Sequence, residues 1–241
     1  MRVGGDVLYV SVAMFVAATL QGVTGFGFML LALPVLVVGF PAQIVVPALL
    51  MSWIPLGTAQ HIQFRHQVDW RILIWFAVPG LVGLPLGVYI LSNTDTLTMQ
   101  RGIGILMVCL AVLLQLRPGA PFKRETSTIF GVGLISGILA GSTAVSGPPI
   151  VLLGLKQRWD FRRFRATLLT YFLVLSLVGL PFHYQAGLLD AASLSLALSG
   201  LPGLVAGFLM GAFLREHIAS DAFRWIAVGM VLVGGLVAVF L

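Results

Sequence analysis

The sequence predicts an all-α polytopic membrane protein made of two inverted repeats, each with a broken-helix hairpin and three transmembrane helices. The first observation is composition: 59% of the 241 residues are hydrophobic and 9% are charged, whereas about a quarter of a typical soluble domain is charged. The second is a series of apolar runs of roughly membrane-spanning length. The third is that each half contains an apolar run interrupted by glycine and polar residues, which is typical of transporters with internal repeats.

The first repeat is predicted over residues 1–120. Its apolar stretch 7–40 is interrupted by the segment Gln21-Gly22-Val23-Thr24-Gly25-Phe26-Gly27-Phe28. Because glycine lacks the side-chain restraint that favours a helix, we expect one helix to end and another to begin there. The full spans of this repeat are predicted at about 44–63, 72–91 and 97–116.

The second repeat is predicted over residues 121–241, after a polar linker that contains Pro118, Gly119 and Pro121. Its broken pair covers 128–155, and the interruption reads Gly141-Ser142-Thr143-Ala144-Val145-Ser146-Gly147-Pro148-Pro149. Proline adds to the break because it removes a backbone donor. A basic loop from Lys156 to Arg165 follows, and the full spans are predicted at about 166–182, 191–214 and 222–241.

Three local sequence matches occur in the same order in both halves and indicate a duplication. The tripeptide Leu20-Gln21-Gly22 corresponds to Leu139-Ala140-Gly141. Pro79-Gly80-Leu81-Val82 corresponds to Pro202-Gly203-Leu204-Val205, and Arg101 corresponds to Arg224.

The length of the broken stretches and the charge pattern predict the topology. A continuous helix over 7–40 would be about 51 Å long, against a hydrocarbon core of about 30 Å. If each broken stretch enters and returns as a hairpin, all of the 14 Lys and Arg residues except Arg2 and Arg101 lie on one side. The positive-inside rule then places both termini on the periplasmic side and the basic loops in the cytoplasm. Each half has an odd number of full spans, so the two repeats are predicted to be inverted copies.

The two broken segments are the predicted substrate site. Helices that restart near Phe28 and Ile150 would direct free N–H groups and positive dipole ends into the protein, which favours an anion. Gln21, Thr24, Ser142, Thr143 and Ser146 add uncharged donors. The remaining candidate residues of the site are Gly22, Gly25, Phe26, Gly27, Gly147 and Pro148. The alternative interpretation is that the glycines only permit close helix packing.

The same segments carry a family resemblance. The octapeptide that begins at Gln21, followed by an apolar run with Pro34, resembles the first motif of the sulfite exporter TauE/SafE family. Ser146-Gly147-Pro148-Pro149-Ile150-Val151 resembles its second-half counterpart. The chain departs from the family pattern at Phe28 and at Ala144-Val145, where glycine is common. The resemblance covers nearly the whole chain and implies a permease of the bacterial inner membrane that exports sulfite, a sulfonate or a related small organosulfur anion, without a cofactor or a dedicated ATPase.

Other polar residues are candidates for gating or proton coupling. Arg101 and Arg224 could reach an anion, although arginines near helix ends commonly extend to the membrane surface. Histidine titrates near neutral pH, so His61 and His183 could carry protons, or they could be interfacial polar residues. Tyr171 could line the path or form a hydrogen bond between helices. All eight Asp and Glu residues fall in loops or near span ends, so the sequence predicts no carboxylate proton relay at the bilayer midplane.

Several classes of function are not supported by the sequence. The basic residues flank apolar segments, as topology determinants do, and indicate a lipid bilayer rather than nucleic acid as the partner. We find no catalytic triad, metal-ligand spacing or phosphate-binding loop, so neither an enzyme nor a metal site is predicted. The single cysteine, Cys109, is expected to be a small buried hydrophobe. A transporter of another small anion, such as a carboxylate, and a membrane scaffold remain alternatives, and a homodimer remains open.

Overall fold

The structure is a computed structural model that describes residues 3–25, 27–113 and 125–214. Every regular element in these ranges is helical, which confirms the all-α prediction for the described part of the chain. The inverted relation between the two halves stays a prediction. The α-helices are α1 (Val3–Thr24), α2 (Phe28–Gly39), α3 (Ala42–Phe64), α4 (Trp70–Asn93), α5 (Thr96–Leu113), α6 (Glu125–Thr143), α7 (Gly147–Gln157), α8 (Phe161–Gln185) and α9 (Ala191–Leu214), with a short 3-10 helix at Arg65–Gln67.

Among the described residues, four helical segments are long and apolar enough to cross a membrane: Ala42–Gln67, Trp70–Asn93, Phe161–Gln185 and Ala191–Leu214. Shorter apolar helical segments are Val7–Val23, Phe28–Gly39, Thr96–Cys109 and Ser127–Thr143. Helices of this length and composition belong in a bilayer, so the chain is a multi-pass membrane protein. The linker predicted at 117–125 lies almost entirely outside the described residues, and the span predicted at 222–241 lies wholly outside them.

The basic segment 156–165 differs from the loop predicted there. Helix α7 continues to Gln157 and α8 begins at Phe161, so only Arg158 to Asp160 joins them. Asp160 begins α8 early because its side chain accepts a hydrogen bond from the backbone N–H of Arg163. Most basic residues of this segment therefore lie on helix ends. Cys109 is also exposed rather than buried.

The described carboxylates cap helices. Asp95 accepts a hydrogen bond from the N–H of Thr98 at 2.9 Å, and Asp190 accepts one from Ser193 at 2.8 Å. Asp69 precedes α4 and accepts from the N–H of Ile72 at 3.1 Å. Together with Asp160, these residues satisfy first-turn amides that have no partner within their helices.

The first compact unit contains the described parts of Met1–Ser52, Thr94–Val112 and Leu189–Leu241. Its main helix pair is α1 with α9. A Cβ atom added at Gly203 would lie 1.9 Å from the carbonyl oxygen of Ser11, and one at Gly207 would lie 2.2 Å from that of Phe15. The two helices therefore approach backbone to backbone, as small residues allow in membrane proteins.

The second compact unit contains the described parts of Trp53–Asn93 and Leu113–Leu188. Its main helix pair is α4 with α6. A Cβ atom added at Gly137 would lie 1.9 Å from the carbonyl oxygen of Gly80, and one at Gly87 would lie 2.1 Å from that of Ile138. Helix α8 packs against both α4 and α6.

Each unit thus pairs a broken-stretch helix from one half of the sequence with a full span from the other. Gly80 and Gly203, which occupy matching positions in the two Pro-Gly-Leu-Val segments, each contact such a helix. Equivalent contacts at the matching positions Gly80 and Gly203 are expected if the two halves arose by duplication.

Candidate functional site

The first break separates α1 from α2. Helix α1 ends at Thr24, and Gly25 and Gly27 have φ angles of +87° and +108°. Residues that carry a side chain rarely adopt such positive φ angles, so this turn favours glycine at both positions. Phe26 and the side chain of Thr24 lie outside the described residues.

Gln21 closes the first break with its side-chain amide. Its Nε2 donates to the carbonyl oxygen of Gly25 at 3.0 Å, and its Oε1 accepts from the N–H of Phe28 at 3.1 Å. Gln21 is 1% exposed. One side chain therefore satisfies polar groups on both sides of the turn, and its amide serves the backbone rather than pointing into open space.

Gly22 has a packing role within the first unit. A Cβ atom at this position would lie 2.7 Å from the Cα atom of Gly211 on α9. For Gly22 the structure favours the packing interpretation that the sequence left open. Gly25 and Gly27 shape the turn instead.

The second break separates α6 from α7 and is buried throughout residues 141–146. Ala144 has a φ angle of +59°, an unfavourable value for a residue with a side chain. The hydroxyl of Ser142 donates to the carbonyl of Ile138 at 2.8 Å. That of Thr143 donates to Leu139 at 2.8 Å and accepts from the N–H of Val145 at 3.2 Å. Both hydroxyl protons thus return to α6, and each oxygen keeps acceptor capacity.

The N-terminus of α7 has fewer free N–H donors than predicted from the sequence. Ser146 is the N-cap and makes no side-chain capping hydrogen bond. Pro148 and Pro149 occupy the next positions after Gly147, and proline has no N–H. The positive end of the helix dipole remains, so the hydroxyl of Ser146 and the amide of Gly147 are the donors to consider at this end.

Ser136 and Tyr171, which lie outside the second break, form a chain of hydrogen bonds that ends at one of its carbonyl groups. Ser136, on α6, donates to the carbonyl oxygen of Ser146 at 2.6 Å. The hydroxyl of Tyr171 on α8 donates to Ser136 at 3.1 Å. Both side chains are buried, at 0% and 1% exposure. Tyr171 therefore acts on the break through Ser136.

Ser136 was not among the residues predicted from the sequence. The usable signal was its position seven residues before Thr143, as the single polar side chain in the apolar run 129–141 of α6.

His183 lies in the last turn of α8 and is fully buried. Its Nδ1 is 2.8 Å from the carbonyl oxygen of Gly179, and its Nε2 is 3.1 Å from that of Gly141. Of the predicted coupling residues, His183 therefore contacts the second break directly, and Tyr171 reaches it through Ser136.

The other predicted coupling residues are placed differently. His61 lies near the end of α3, with its Nδ1 2.9 Å from the hydroxyl of Thr170. Arg101 is exposed on α5. Arg224 lies outside the described residues. Within the described ranges, no group of three or more His, Cys, Asp or Glu residues could hold a metal ion.

The model of the family described as "Sulfite exporter TauE/SafE" matches residues 10–238, a range that includes both breaks. The chain belongs to the sulfite exporter TauE/SafE family. Among curated proteins, this TauE/SafE chain is similar to the "Probable sulfite/organosulfonate exporter TauE" of Cupriavidus necator. The two are 29% identical over 226 residues, which cover 88% of this chain and 85% of the relative. No solved structure shows significant similarity to the chain.

Membership of the TauE/SafE family confirms the resemblance that the two glycine-containing segments suggested. It does not assign individual residues, so the roles of Ser146, Gln21 and their neighbours depend on the geometry above.

Proposed function

We propose that this protein is a secondary permease that exports sulfite or an organosulfonate across the bacterial inner membrane, with both termini on the periplasmic side. The observation that carries the proposal is the family match, which extends across both broken segments. The relative from Cupriavidus necator is named as an exporter of these compounds. In many secondary transporters, broken helices of this kind form the substrate site.

The chemistry of the second break supports an anionic substrate. Its backbone is irregular and buried, and α7 directs its positive dipole end toward the segment. The hydroxyl of Ser146 and the amide of Gly147 are neutral donors that suit sulfur oxyanions. Neutral donors hold an anion without placing a permanent charge in the membrane, where an isolated ionised side chain is costly.

Export of an anion also agrees with the membrane potential. The inside-negative potential drives an anion outward with about 2.3 kcal/mol per charge per 100 mV. The carboxylates of Asp69, Asp95, Asp160 and Asp190 already serve as helix caps.

The test is flux through proteoliposomes that contain the purified protein. Sulfite, sulfoacetate, taurine and sulfate are compared under an imposed pH gradient and then under an imposed voltage. Saturable movement of sulfite or a sulfonate is the expected result. Movement of small carboxylates alone would redirect the proposal to another anion, and no movement of any of these solutes by folded protein would favour a scaffold.

Three substitutions then test the site, with Ser195→Ala on the exposed face of α9 as the matched control. Ser146→Ala should reduce flux at low substrate concentration by roughly tenfold or more, because a hydrogen bond to a charged group contributes about 1.5–3 kcal/mol. Thr24→Val should also lower flux, and Ser142→Ala should lower it less, because the proton of Ser142 already bonds to the carbonyl of Ile138. Unchanged flux in all three variants would place the substrate elsewhere.

A further inference from the structure

Both ring nitrogens of His183 face a backbone carbonyl oxygen. Nδ1 lies 2.8 Å from the carbonyl oxygen of Gly179, and Nε2 lies 3.1 Å from that of Gly141. A carbonyl oxygen accepts hydrogen bonds and cannot donate them. Neutral imidazole carries one N–H and can satisfy one of these contacts, whereas imidazolium carries two and can satisfy both.

The carbonyl of Gly141 needs a donor because the break removes its usual one. In a continuous helix this oxygen would accept from the N–H of Val145. That N–H is instead 3.2 Å from the hydroxyl of Thr143. The oxygen also belongs to the last turn of α6, the negative end of the helix dipole, where a cation is favoured.

His61 makes a useful comparison. Its Nδ1 contacts the hydroxyl of Thr170 at 2.9 Å. That hydroxyl uses its proton on the carbonyl of Ala166 at 3.0 Å, so it accepts from His61. A neutral imidazole with its proton on Nδ1 satisfies this contact. Of the two histidines, only His183 has contacts that require a second proton.

Among the described residues, the helices packed around His183 bring no carboxylate to it. Helix α6 has no titratable side chain between Ser127 and Thr143, and the only one on α4 between Ile72 and Asn93 is Tyr89, which is exposed. Helix α7 has only Lys156, at its far end. On α8, Tyr184 is exposed and Tyr171 is bonded to Ser136. A buried cation without a counter-charge is costly, and an anion at the break would offset that cost.

We propose that His183 is a proton-binding site linked to anion binding at the second break. The proton adds to the ring nitrogen whose lone pair faces a carbonyl oxygen, and it is released to water when the anion leaves. Linkage is reciprocal, so an anion held at the break favours the protonated ring and the protonated ring favours the anion. This inference rests on the proposed function, because the anion is the sulfur compound proposed above.

The first test measures binding of methanesulfonate to the purified protein between pH 6 and 8. A sulfonate is chosen because its charge stays constant over this range, whereas sulfite itself titrates. Wild-type affinity should weaken by up to roughly tenfold per pH unit as the pH rises through the titration of His183. His183→Gln should bind with an affinity that does not change with pH. His66→Gln, at an exposed histidine, is the matched control and should follow the wild type, and a wild-type response in His183→Gln would overturn the proposal.

The second test detects the proton directly and does not depend on transport. Solid-state NMR of protein with 15N-labelled histidine distinguishes imidazolium from imidazole, and single Gln variants at His61, His66 and His217 assign the His183 signal even if His183→Gln does not fold. We expect an imidazolium signal for His183 that increases when methanesulfonate is added. An imidazole signal at every pH from 5 to 8, with and without the sulfonate, would overturn the proposal. If the protein binds no sulfonate but His183 still titrates in the spectra, the proposed substrate fails and the proton site stands.

Discussion

The Oε1 atom of Gln21 accepts a hydrogen bond at 3.1 Å from the backbone N–H of Phe28, seven residues later. Phe28 is the first residue of α2, and its N-cap, Gly27, has no side chain with which to cap the helix. Gln21 therefore satisfies from α1 one of the first-turn amides that have no partner within α2. Its Nε2 holds the turn at the same time through Gly25.

Gln21→Ala should destabilise the protein measurably. The substitution removes both buried hydrogen bonds of the Gln21 amide, and each such bond contributes about 0.5–1.5 kcal/mol. Thermal unfolding in detergent should show a lower midpoint than the wild type. Gln63→Ala, at an exposed position on α3, is the control and should unfold like the wild type.

Gln21→Glu separates the two hydrogen bonds. A carboxylate can still accept from Phe28 but cannot donate to Gly25, and it would place a negative oxygen against that carbonyl. We expect a loss at least as large as that of Gln21→Ala at neutral pH, with partial recovery at acidic pH when the carboxyl is protonated. Equal stability of Gln21→Glu and the wild type at pH 7 would show that the Nε2 contact contributes nothing.

Tyr171 and Ser136 should be energetically coupled. Tyr171→Phe removes one hydrogen bond, whereas Ser136→Ala also leaves the carbonyl of Ser146 without its donor at 2.6 Å. A double-mutant cycle on unfolding free energy should give a coupling of about 0.5–1.5 kcal/mol. Tyr184→Phe, an exposed tyrosine on the same helix, is the matched control for the loss of a phenol. Additive effects of the two buried substitutions would contradict the chain of contacts from α8 to the break.

The positions of both breaks could be predicted from the sequence, but the contacts that hold the second one could not. Gly25, Gly27, Pro148 and Pro149 act locally, so their effect on a helix is readable from composition. Ser136 and His183 act from other parts of the fold, and no local pattern reveals which buried carbonyl they reach. The sequence match of Gln21 with Ala140 did indicate a difference. Alanine has no polar side-chain atoms, so the backbone groups at the second break need hydrogen-bond partners from other helices.

The start of α8 was likewise not predictable from the composition of the segment. The charges between Lys156 and Arg165 suggested a loop, yet the side chain of Asp160 begins α8 there. A single capping residue outweighed the polar composition of the segment because it satisfies an amide that the helix cannot.

Asp95, the cap of α5, should contribute stability that depends on pH. The hydrogen bond from the backbone N–H of Thr98 holds the pKa of Asp95 below its ordinary value near 3.8. A depressed pKa means that the ionised group stabilises the fold above the ordinary value, and that this contribution is lost as the pH falls through the lowered pKa. Asp95→Ala should therefore lower the unfolding temperature at pH 7 and have a smaller effect near pH 3. Asp95→Asn keeps a neutral capping oxygen, and the difference between Asn and Ala variants should not change with pH.

Substitution of a helical glycine by alanine should be destabilising where the glycine lies at a close helix contact, and neutral or stabilising where it does not. Alanine at Gly137 would place its Cβ 1.9 Å from the carbonyl of Gly80, and alanine at Gly203 would place it 1.9 Å from that of Ser11. Because the contacts are with backbone, the helices must separate, and we expect a loss of about 1–3 kcal/mol of unfolding free energy in each case.

Gly131 and Gly102 are the matched controls, since a Cβ at either meets nothing within 4 Å. Alanine there should be neutral or stabilising by up to about 1 kcal/mol, because it is the better helix former. Unfolding in detergent measures all four variants, and equal stability of the Gly137 and Gly131 variants would contradict the close approach of α4 and α6.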